Sequence, residues 1–382
     1  MLFLALKEVI TIKKILFGIT SLTLGGAERV LVDISNKLSE KYDITIFSIY
    51  DNGELKNDLN KNVKFKALYN CRYDELTKLQ KMWIPIKILL FSKIIYNKKI
   101  KQNYDTEIAF LEGPITRLFS TKNKDVHKIA WIHNDIEKVF GNDLKSKIKK
   151  YIDKKIYKKY NDLVFVSQDN MEKFQNIYND LNTENMHVIY NYIDKDLVIK
   201  KSNYNIKVEF DYNSINFLTV CRLVKQKAID RFIRVHSKLI NRGLKHKVYI
   251  IGDGPEKENL QKLIKQENVE DTFILLGKKE NPYPYIKNAN YFCLLSEFEG
   301  YGMVLEEAKI LNKPIIITNT AARECIENYP KALILENSED EIYDGLYKLL
   351  NDNDDKIFNN TQTSTEYDNT EKLQKIIELV GD

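Results

Sequence analysis

Cysteine is scarce in this chain of 382 residues, and its four copies lie far apart. Cys71, Cys221, Cys293 and Cys325 form no C-x-x-C pair. Such a spacing argues against a disulfide framework and against a zinc site. It fits a protein of the reducing cytoplasm, which is the location that we expect.

Long uninterrupted apolar runs are lacking as well. Charged residues between positions 7 and 14 break the apolar N-terminal stretch, which is too short for a membrane span and has no small-residue cleavage site. Residues 1–10 are therefore interpreted as an appended leader. The apolar segment 82–100 contains interspersed lysines, which favour a core helix or a membrane-surface helix over a span.

The modest net charge of +5 is unevenly distributed, because residues 138–160 carry nine lysines. Apolar residues recur at every fourth position of this run, from Leu144 to Tyr160. The pattern predicts an amphipathic basic helix, which either has one buried stripe and a solvated face or contacts anionic lipid headgroups or an anionic acceptor. No aromatic and basic readout motif accompanies the lysines, so nucleic-acid binding is not expected.

Short apolar strands alternate with helical stretches along the whole chain, which predicts two α/β domains with parallel sheets. The length also favours two domains. We place the first at residues 1–200 and the second at 201–365, with a polar linker at 195–214. The predicted strands lie at 14–20, 43–49, 106–111, 128–132, 163–166 and 187–190, and then in "NFLTVCRL", "HKVYIIGDG", "TFILLGK", "YFCLLS" and "PIIIT".

Parallel sheets bind ligands at the carboxyl ends of their strands, so the loops that follow the strands are candidate sites. After the first strand, Gly25 and Gly26 precede a helix and could cradle a phosphate, or form an ordinary tight turn. After the strand "NFLTVCRL", Arg222 and Lys227 could neutralise a diphosphate, or be solvated. Each feature alone allows both interpretations.

Two further loops carry glycines next to acidic residues. The sequence "VYIIGDGPEKENL" is typical of a nucleotide turn, but Lys257 stands where the dinucleotide motif G-x-G-x-x-G needs its third glycine, so NAD binding is not expected. In "SEFEGYGMVLEEAKILNKPIIIT", glycines lie between Glu299 and a helix predicted at 303–311, which contains Glu307. Carboxylates at the start of such a helix would bind hydroxyl groups, or they are solvated glutamates on a surface helix.

In this order, the motifs resemble those of the retaining glycosyltransferases of the GT-B fold, family four. The strongest element is "SEFEGYGMVLEEAKILNKPIIIT", and "GGAERV", "CRLVKQKAID", "IGDGP" and "NYID" support it. The resemblance covers nearly the whole chain after residue 12. It implies two Rossmann-like domains that face each other across a cleft, and a last helix, within 366–382, that crosses back to the first domain.

The resemblance also implies roles for individual residues. Glu307 would bind the ribose hydroxyls of a nucleotide-sugar, and Glu299 would hold the donor sugar. Arg222 and Lys227 would stabilise the leaving diphosphate, and His133 in "WIHND" would lie near the donor sugar unless it is a structural histidine. The remaining donor-binding set is Gly25, Gly26, Gly252, Gly254, Gly277, Gly300, Tyr301 and Gly302.

Four positions depart from the pattern of the family. Cys221 and Ala228 stand where glycine is frequent, Gln226 where glutamate is frequent, and Tyr192 replaces the glycine of N-G-[IV]-D. None of these changes removes a charge from the diphosphate site. They put the identity of the donor in doubt more than the class of reaction.

The expected activity is that of a retaining hexosyltransferase. It would move a sugar from a UDP-sugar to a saccharide or polyprenyl-linked acceptor during bacterial capsule, lipopolysaccharide or teichoic acid assembly, as a peripheral protein on the anionic inner face of the plasma membrane. The resemblance implies no metal and no other cofactor. Alternatives are a non-hydrolysing sugar-nucleotide epimerase and a non-catalytic partner subunit that binds nucleotide-sugars.

Overall fold

The computed structural model describes residues 12–73, 75–100, 104–121, 123, 125–134, 144–351, 358 and 367–381. These residues form two compact units. The first unit runs to Tyr192 and also includes the chain from Thr370 on, and the second unit runs from Ile193 to Asn369. The division therefore lies eight residues before the boundary at 200 that the sequence predicts.

The first unit contains a sheet of seven parallel strands within the described residues, in the order β3, β2, β1, β4, β5, β6, β7. Its strands are β1 (Lys14–Ile19), β2 (Asp43–Tyr50), β3 (Lys64–Tyr69), β4 (Thr106–Ala109), β5 (His127–Ile132), β6 (Asp162–Phe165) and β7 (Met186–Val188). Its helices are α1 (Gly26–Leu38), α2 (Lys78–Ile95), α3 (Pro114–Phe119), α4 (Leu144–Tyr157), α5 (Gln168–Ile177) and, at the end of the chain, α13 (Thr370–Val380). A 3₁₀ helix spans Glu54–Asp58, and a π-helical turn at Tyr96–Ile100 follows α2.

The second unit contains a sheet of six parallel strands, all within the continuous described segment 144–351, in the order β10, β9, β8, β11, β12, β13. Its strands are β8 (Ile215–Val220), β9 (His246–Ile251), β10 (Phe273–Gly277), β11 (Tyr291–Leu294), β12 (Ile315–Thr318) and β13 (Ala332–Leu335). Its helices are α6 (Lys195–Ser202), α7 (Ile229–Asn241), α8 (Lys257–Gln266), α9 (Tyr283–Asn288), α10 (Met303–Ile310), α11 (Arg323–Ile326) and α12 (Glu339–Asn351). A 3₁₀ helix spans Lys225–Lys227.

Each unit buries its own apolar core, as the two series of apolar strands predict. In the first unit Phe47, Phe119 and Phe165 are buried between the sheet and its helices. In the second unit Phe217 and Val248 lie in a core that includes the apolar face of α7. Both faces of a parallel sheet with crossover helices are covered, which explains why these strands are almost continuously apolar.

The last helix, α13, is part of the first unit, as the sequence predicts. Thr106 Oγ1 of β4 donates a hydrogen bond of 3.2 Å to the carbonyl of Val380. The Lys13 ammonium group, just before β1, donates to the carbonyl of Gly381. The carbonyls of the last helical residue and of the residue after it are thus satisfied by groups at the start of β4 and just before β1.

Three sequence predictions need correction. The predicted linker 195–214 begins with helix α6, whose N-cap Asp194 accepts a hydrogen bond of 2.9 Å from the Leu197 amide. Strands β3 and β13 were not predicted. Both are outer strands of their sheets and are only partly buried. Lysines interrupt the sequence of β3, and the apolar run of β13 is only four residues long.

The predicted basic helix is α4, but its apolar stripe is buried only toward its C-terminal end. Ile156 and Tyr160 are buried, Ile152 is half-buried and Ile148 is exposed. Residues 138–143 of the basic run and the predicted leader, residues 1–10, lie outside the described residues. Across the part of the chain that the structure describes, no helix combines the length and apolar character that crossing a bilayer requires.

A buried histidine pair links α7 to β9 in the second unit. His236 Nδ1 lies 2.8 Å from His246 Nε2, and the other ring nitrogens contact Thr272 Oγ1 and the carbonyl of Leu244, each at 2.8 Å. Burial lowers the pKa of His236 to about 2 and that of His246 to about 4. Both rings are therefore neutral in the folded protein near pH 7.

This pair predicts that acid destabilises the second unit. The unfolded chain binds protons at both histidines below about pH 6.5 and the folded chain does not, so stability is full above that pH and decreases below it. Between pH 6.5 and 5 we expect a loss of about 2 kcal/mol for each histidine in urea unfolding. His246→Gln should show a shallower pH dependence than the unchanged chain, and equal slopes would contradict the assignment.

Candidate active site

The site in the second unit begins with the adjacency of two strands. β8 and β11 are parallel neighbours, with Phe217 opposite Tyr291 and Leu218 opposite Phe292. Their carboxyl ends therefore meet at one edge of the sheet, although 70 residues of sequence separate them. The loops that follow these strands contain Arg222 and Lys227 on one side and Glu299 on the other.

Several hydrogen bonds join these two loops directly. The Lys227 ammonium group donates to Glu299 Oε1, and Ser296 Oγ donates to the same oxygen at 2.6 Å. Gln226 Nε2 donates to the carbonyl of Phe298, and the amide of Glu297 donates to the carbonyl of Gln226, both at 2.9 Å. A cation and a buried carboxylate are thus held together at the edge where a ligand of a parallel sheet would bind.

Arg222 lies in the same loop, and its side chain is exposed. The preceding residue, Cys221, is not a candidate nucleophile, because burial raises the pKa of its thiol to about 12. Ala228, which begins α7, has a left-handed backbone (φ 47°). Glycine adopts this conformation without strain, whereas alanine loses about 1 to 2 kcal/mol, so the departure from the family pattern falls at a position that suits glycine.

Two of the predicted donor-binding glycines have a structural reason to be glycine. A Cβ at Gly252 (φ 150°) would lie 1.8 Å from the carbonyl oxygen of Cys221, and one at Gly254 would lie 2.4 Å from that of Leu223. The amide of Gly252 also donates to the carbonyl of Gly277 at 3.0 Å. The turn after β9 therefore packs directly on the backbone of the loop that carries Arg222.

The glycine turn before α10 has one residue in a left-handed conformation, Gly302 (φ 75°), which is the N-cap of the helix. Between Gly300 and Gly302, the side chain of Tyr301 is buried and its hydroxyl donates to the buried carboxylate of Glu306. The buried side chain of Tyr301 thus anchors the turn, and the partly exposed residues of the turn are Gly300 and Gly302, which have only backbone atoms.

Glu307 lies in the second turn of α10 and is half-buried. Tyr283 of α9 donates its hydroxyl hydrogen to Glu307 Oε1 at 3.0 Å. This contact orients the Glu307 carboxylate. The sequence predicts that Glu307 is part of the helix, but it does not predict the direction of its side chain. Tyr283 in "NPYPY" was not predicted, and nothing in its sequence context indicates the contact.

The predicted residues of the first unit lie at the carboxyl ends of β1 and β5. Gly25 is the N-cap of α1, and Gly26 is its first residue. A Cβ at Gly25 would lie 2.2 Å from Glu28 Oε2, so a carboxylate lies beside the start of this helix. A negative charge at this position favours a ligand with hydroxyl groups over a phosphate.

His133 follows β5 and packs against Phe110 and Trp131, with ring centroids 4.7 Å and 6.3 Å away. Burial lowers the pKa of His133 to about 3, so the imidazole is neutral near pH 7. Its Nε2 atom is buried and forms no hydrogen bond with the described residues. A buried nitrogen in this state requires an explanation, and a hydrogen bond to a bound ligand would supply one.

Glu112, which follows β4, holds the loop that contains His133. Glu112 Oε1 accepts the backbone amides of His133 and Asn134 at 2.7 Å each, and Oε2 accepts Asn134 Nδ2 at 2.9 Å. Burial raises the pKa of Glu112, while these three donated hydrogen bonds oppose the shift. Glu112 is not among the predicted site residues, although its position after a strand in "FLEGP" is a usable signal.

The second unit matches a known protein family. A family model described as "Glycosyl transferases group 1" matches residues 200–365. The second unit belongs to the glycosyl transferases group 1 family. This result agrees with the motifs of the second half of the sequence, from "CRLVKQKAID" to "SEFEGYGMVLEEA".

Relatives and solved structures extend the similarity to both units of this glycosyltransferase. A Campylobacter jejuni N-acetylgalactosamine-N,N'-diacetylbacillosaminyl-diphospho-undecaprenol 4-alpha-N-acetylgalactosaminyltransferase is 27% identical over 342 residues, which are 87% of this chain and 89% of the relative. The Escherichia coli O-antigen biosynthesis glycosyltransferase WclY is 24% identical over 318 residues, 80% of each chain. The structure of Anabaena Alr3699/HepE in complex with UDP and glucose matches with a TM-score of 0.74 at 16% identity, over 96% of this chain and 98% of the other.

These matches confirm the predicted fold class, two parallel-sheet α/β domains of the GT-B type, and the predicted enzyme class, a glycosyltransferase. The roles of individual site residues remain predictions. The structure brings Lys227 and Glu299 into contact and places Arg222 in the same loop as Lys227, whereas Glu307 contacts Tyr283 of α9. Gly25, Gly26 and His133 belong to the other unit.

The contacts of Glu112 predict a measurable loss of stability in Glu112→Ala. The substitution leaves two backbone amides without their acceptor, so the free energy of unfolding should decrease by about 2 to 4 kcal/mol in urea unfolding. Glu112→Gln retains one carbonyl oxygen for both amides and should recover most of the loss. The control is Glu40→Ala, since exposed Glu40 forms an ion pair with Lys37 alone among the described residues, and such a pair contributes little. Equal stability of Glu112→Ala and Glu40→Ala would refute the role of Glu112.

Proposed function

We propose that this glycosyltransferase transfers a hexose from a UDP-sugar, with retention of the anomeric configuration, to a saccharide or lipid-linked acceptor of bacterial surface glycoconjugates. The contact between Lys227 and Glu299 at the carboxyl ends of β8 and β11 carries this proposal. The C. jejuni relative is named for a diphospho-undecaprenol acceptor, and the Anabaena structure contains UDP and glucose. Both descriptions support the choice of donor and acceptor.

The second unit would bind the donor. The Glu307 carboxylate has two oxygens, of which Oε1 accepts the Tyr283 hydroxyl, and a carboxylate can accept several hydrogen bonds at once. It would accept hydrogen bonds from the two ribose hydroxyls. Glu299 and the backbone of Gly300 and Gly302 would hold the donor sugar, with Ser296 fixing the carboxylate.

The leaving diphosphate would be stabilised by Arg222 and Lys227. Negative charge develops on the phosphate oxygens as the glycosyl bond breaks, so cations fixed at this place lower the energy of the transition state more than that of the ground state. Lys227 is already fixed by Glu299, which reduces the reorganisation needed during the reaction. In this proposal the two side chains do the work that a metal ion does in other glycosyltransferases.

The first unit would bind the acceptor. Because Gly25 and Gly26 have no side chains, they do not cover the backbone at the start of α1. The Glu28 carboxylate beside Gly25 would accept a hydrogen bond from an acceptor hydroxyl. The neutral ring of His133 would form a hydrogen bond through Nε2 with a sugar hydroxyl. Because its pKa is far below neutrality, this contact should not change between pH 5 and 8.

The proposal predicts nucleotide release that requires an acceptor. UDP-, GDP- and ADP-sugars are incubated with bacterial membranes or with lipid-linked acceptors, and release of the nucleotide is measured with and without EDTA. We expect UDP release only when an acceptor is present, unchanged by EDTA, and an α-linked product from an α-linked donor by NMR. Conversion of the nucleotide-sugar to its epimer without an acceptor and without net nucleotide release would indicate a sugar-nucleotide epimerase. Binding without turnover would indicate a non-catalytic partner subunit.

The site assignment predicts different kinetic effects for two substitutions. Glu307→Ala removes contacts made in the ground state and should raise the KM for the donor by about tenfold to a hundredfold. Arg222→Ala removes a charge that matters most in the transition state and should chiefly lower kcat by a similar factor. Glu297→Ala and Lys225→Ala, which change exposed charges in the same loops, serve as matched controls. Wild-type kinetics in both site variants would refute the assignment.

A further inference from the structure

Helix α2 of the first unit exposes an unusual number of large apolar side chains. The exposed residues are Leu79, Met82, Trp83, Ile86, Leu90, Phe91 and Ile94. Trp83 is 58% exposed and Leu90 is 67% exposed. The helix is interrupted at Phe91, whose backbone is non-helical (φ -116°, ψ 18°). Before that point, at about 100° of rotation per residue, the five exposed residues from Leu79 to Leu90 lie within about a third of the circumference of the helix. They form one continuous surface, which we call the α2 stripe.

The core of the first unit does not use this stripe. Ile88 and Ile84 of the same helix are buried and contact the core from the opposite face, together with half-buried Ile95. The helix is therefore already attached by one apolar face and has a second one. A helix that is apolar on both faces and lies at the surface of a unit requires a second apolar environment.

The charges around the stripe have one sign. Between positions 78 and 100 the chain has six lysines and no aspartate or glutamate. Among the described residues, none of the six forms an ion pair with a carboxylate; Lys81 and Lys87 instead lie over the rings of Tyr73 and Tyr69. A protein groove that accepts an apolar helix would not by itself select six positive charges, whereas a surface of phosphate groups would.

Helix α4 also exposes apolar and basic side chains. Helix α3 packs against both α2 and α4. Ile148 and Tyr151 of α4 are more than half exposed, and Lys147 and Lys155 beside them are exposed as well. Apolar and basic side chains thus continue from α2 onto a second helix of the same unit.

We propose that α2 is an interfacial helix that seats the first unit on an anionic lipid bilayer. The α2 stripe would enter the boundary between headgroups and acyl chains. The lysines of α2, of the π-helical turn that follows it and of α4 would contact lipid phosphates. The helix lies in the plane of the surface, because its 18 residues include four lysines and cannot span the apolar interior. Trp83 suits this position, since tryptophan prefers the interface. The proposal requires neither donor nor acceptor, so it can fail or hold independently of the proposed reaction.

The first test is co-sedimentation of the full chain with vesicles. Vesicles of phosphatidylcholine alone are compared with vesicles of phosphatidylcholine and phosphatidylglycerol in equal parts, whose surface is anionic. We expect binding to the anionic vesicles that weakens with salt and is at least tenfold weaker on phosphatidylcholine. Equal binding to both vesicles, or no binding to either, would overturn the proposal.

Two sets of substitutions separate the stripe from the lysines. Trp83→Ser combined with Leu90→Ser should abolish vesicle binding without lowering the unfolding temperature, because both side chains are exposed in the folded chain. The matched control combines Tyr204→Ser with Tyr212→Ser, which are 51% and 67% exposed in the second unit and should leave binding unchanged. Lys93→Gln, Lys98→Gln and Lys99→Gln together should weaken binding about a hundredfold, at roughly fivefold for each lysine. Unchanged binding in the stripe variant would refute insertion.

Tryptophan fluorescence measures directly how deeply α2 enters the bilayer. Trp83 is exposed, whereas Trp131 is 1% exposed in the core. Addition of anionic vesicles should shift the emission to shorter wavelength, and lipids brominated on their acyl chains should quench it. Trp83→Phe should abolish both changes, since Trp131 stays in the core. A shift and quenching that persist in Trp83→Phe would overturn the assignment to α2.

Self-association is the main competing occupant of the stripe. Light scattering coupled to size-exclusion chromatography measures the mass of the chain in the absence of lipid. We expect a mass that is the same in the unchanged chain and in the Trp83→Ser, Leu90→Ser variant. A dimer that becomes a monomer in this variant would show that the stripe is an interface between two copies, and it would overturn the bilayer proposal.

Discussion

The contact between Lys227 and Glu299 depends on one feature of the fold, the adjacency of β8 and β11. In a doubly wound sheet the order of strands reverses beside the first strand, and the loops that follow the two neighbours on either side of that point meet at the same edge. Here β8 lies between β9 and β11, so the loop after β8 is supported by the turn after β9 and joined to the loop after β11. The charges of the candidate donor site are positioned by the backbone of three loops.

The glycines of the candidate site have different structural reasons, and some of them serve the packing of the loops. Gly252 and Gly254 are required because the backbone of Cys221 and Leu223 occupies the space of their missing Cβ atoms. This reason holds with or without a ligand. Gly302 is different, because its left-handed backbone begins α10. A glycine in a motif of this family can therefore report loop packing, helix capping or ligand approach, and the sequence alone does not distinguish them.

The sequence predicted the fold well where burial gives a strong apolar signal and less well elsewhere. Strands that are buried on both faces were found, whereas β3, interrupted by Lys64 and Lys66, and the half-exposed β13 were missed at the outer positions of their sheets. Helix α6 was taken for a linker because its sequence is polar. For the site, the structure places the predicted charged residues Arg222, Lys227 and Glu299 in loops at strand ends, as expected. Side-chain contacts such as Tyr283 with Glu307 depend on tertiary packing and leave no local pattern.

Helix α2 is a second case in which the sequence alone does not predict the surroundings of the side chains. Its apolar sequence predicts a core helix or a membrane-surface helix. In the structure one face of the helix belongs to the core and the other is exposed, with Ile88 buried and Leu90 exposed two residues later. Periodicity predicts which residues share a face, but a helix that is apolar on two opposite faces has no polar side to orient it. The lysines are the reason for proposing an anionic surface as the second environment. With no carboxylate between positions 78 and 100, such a surface is complementary in charge to the whole segment, whereas a second copy of the same helix would repel it.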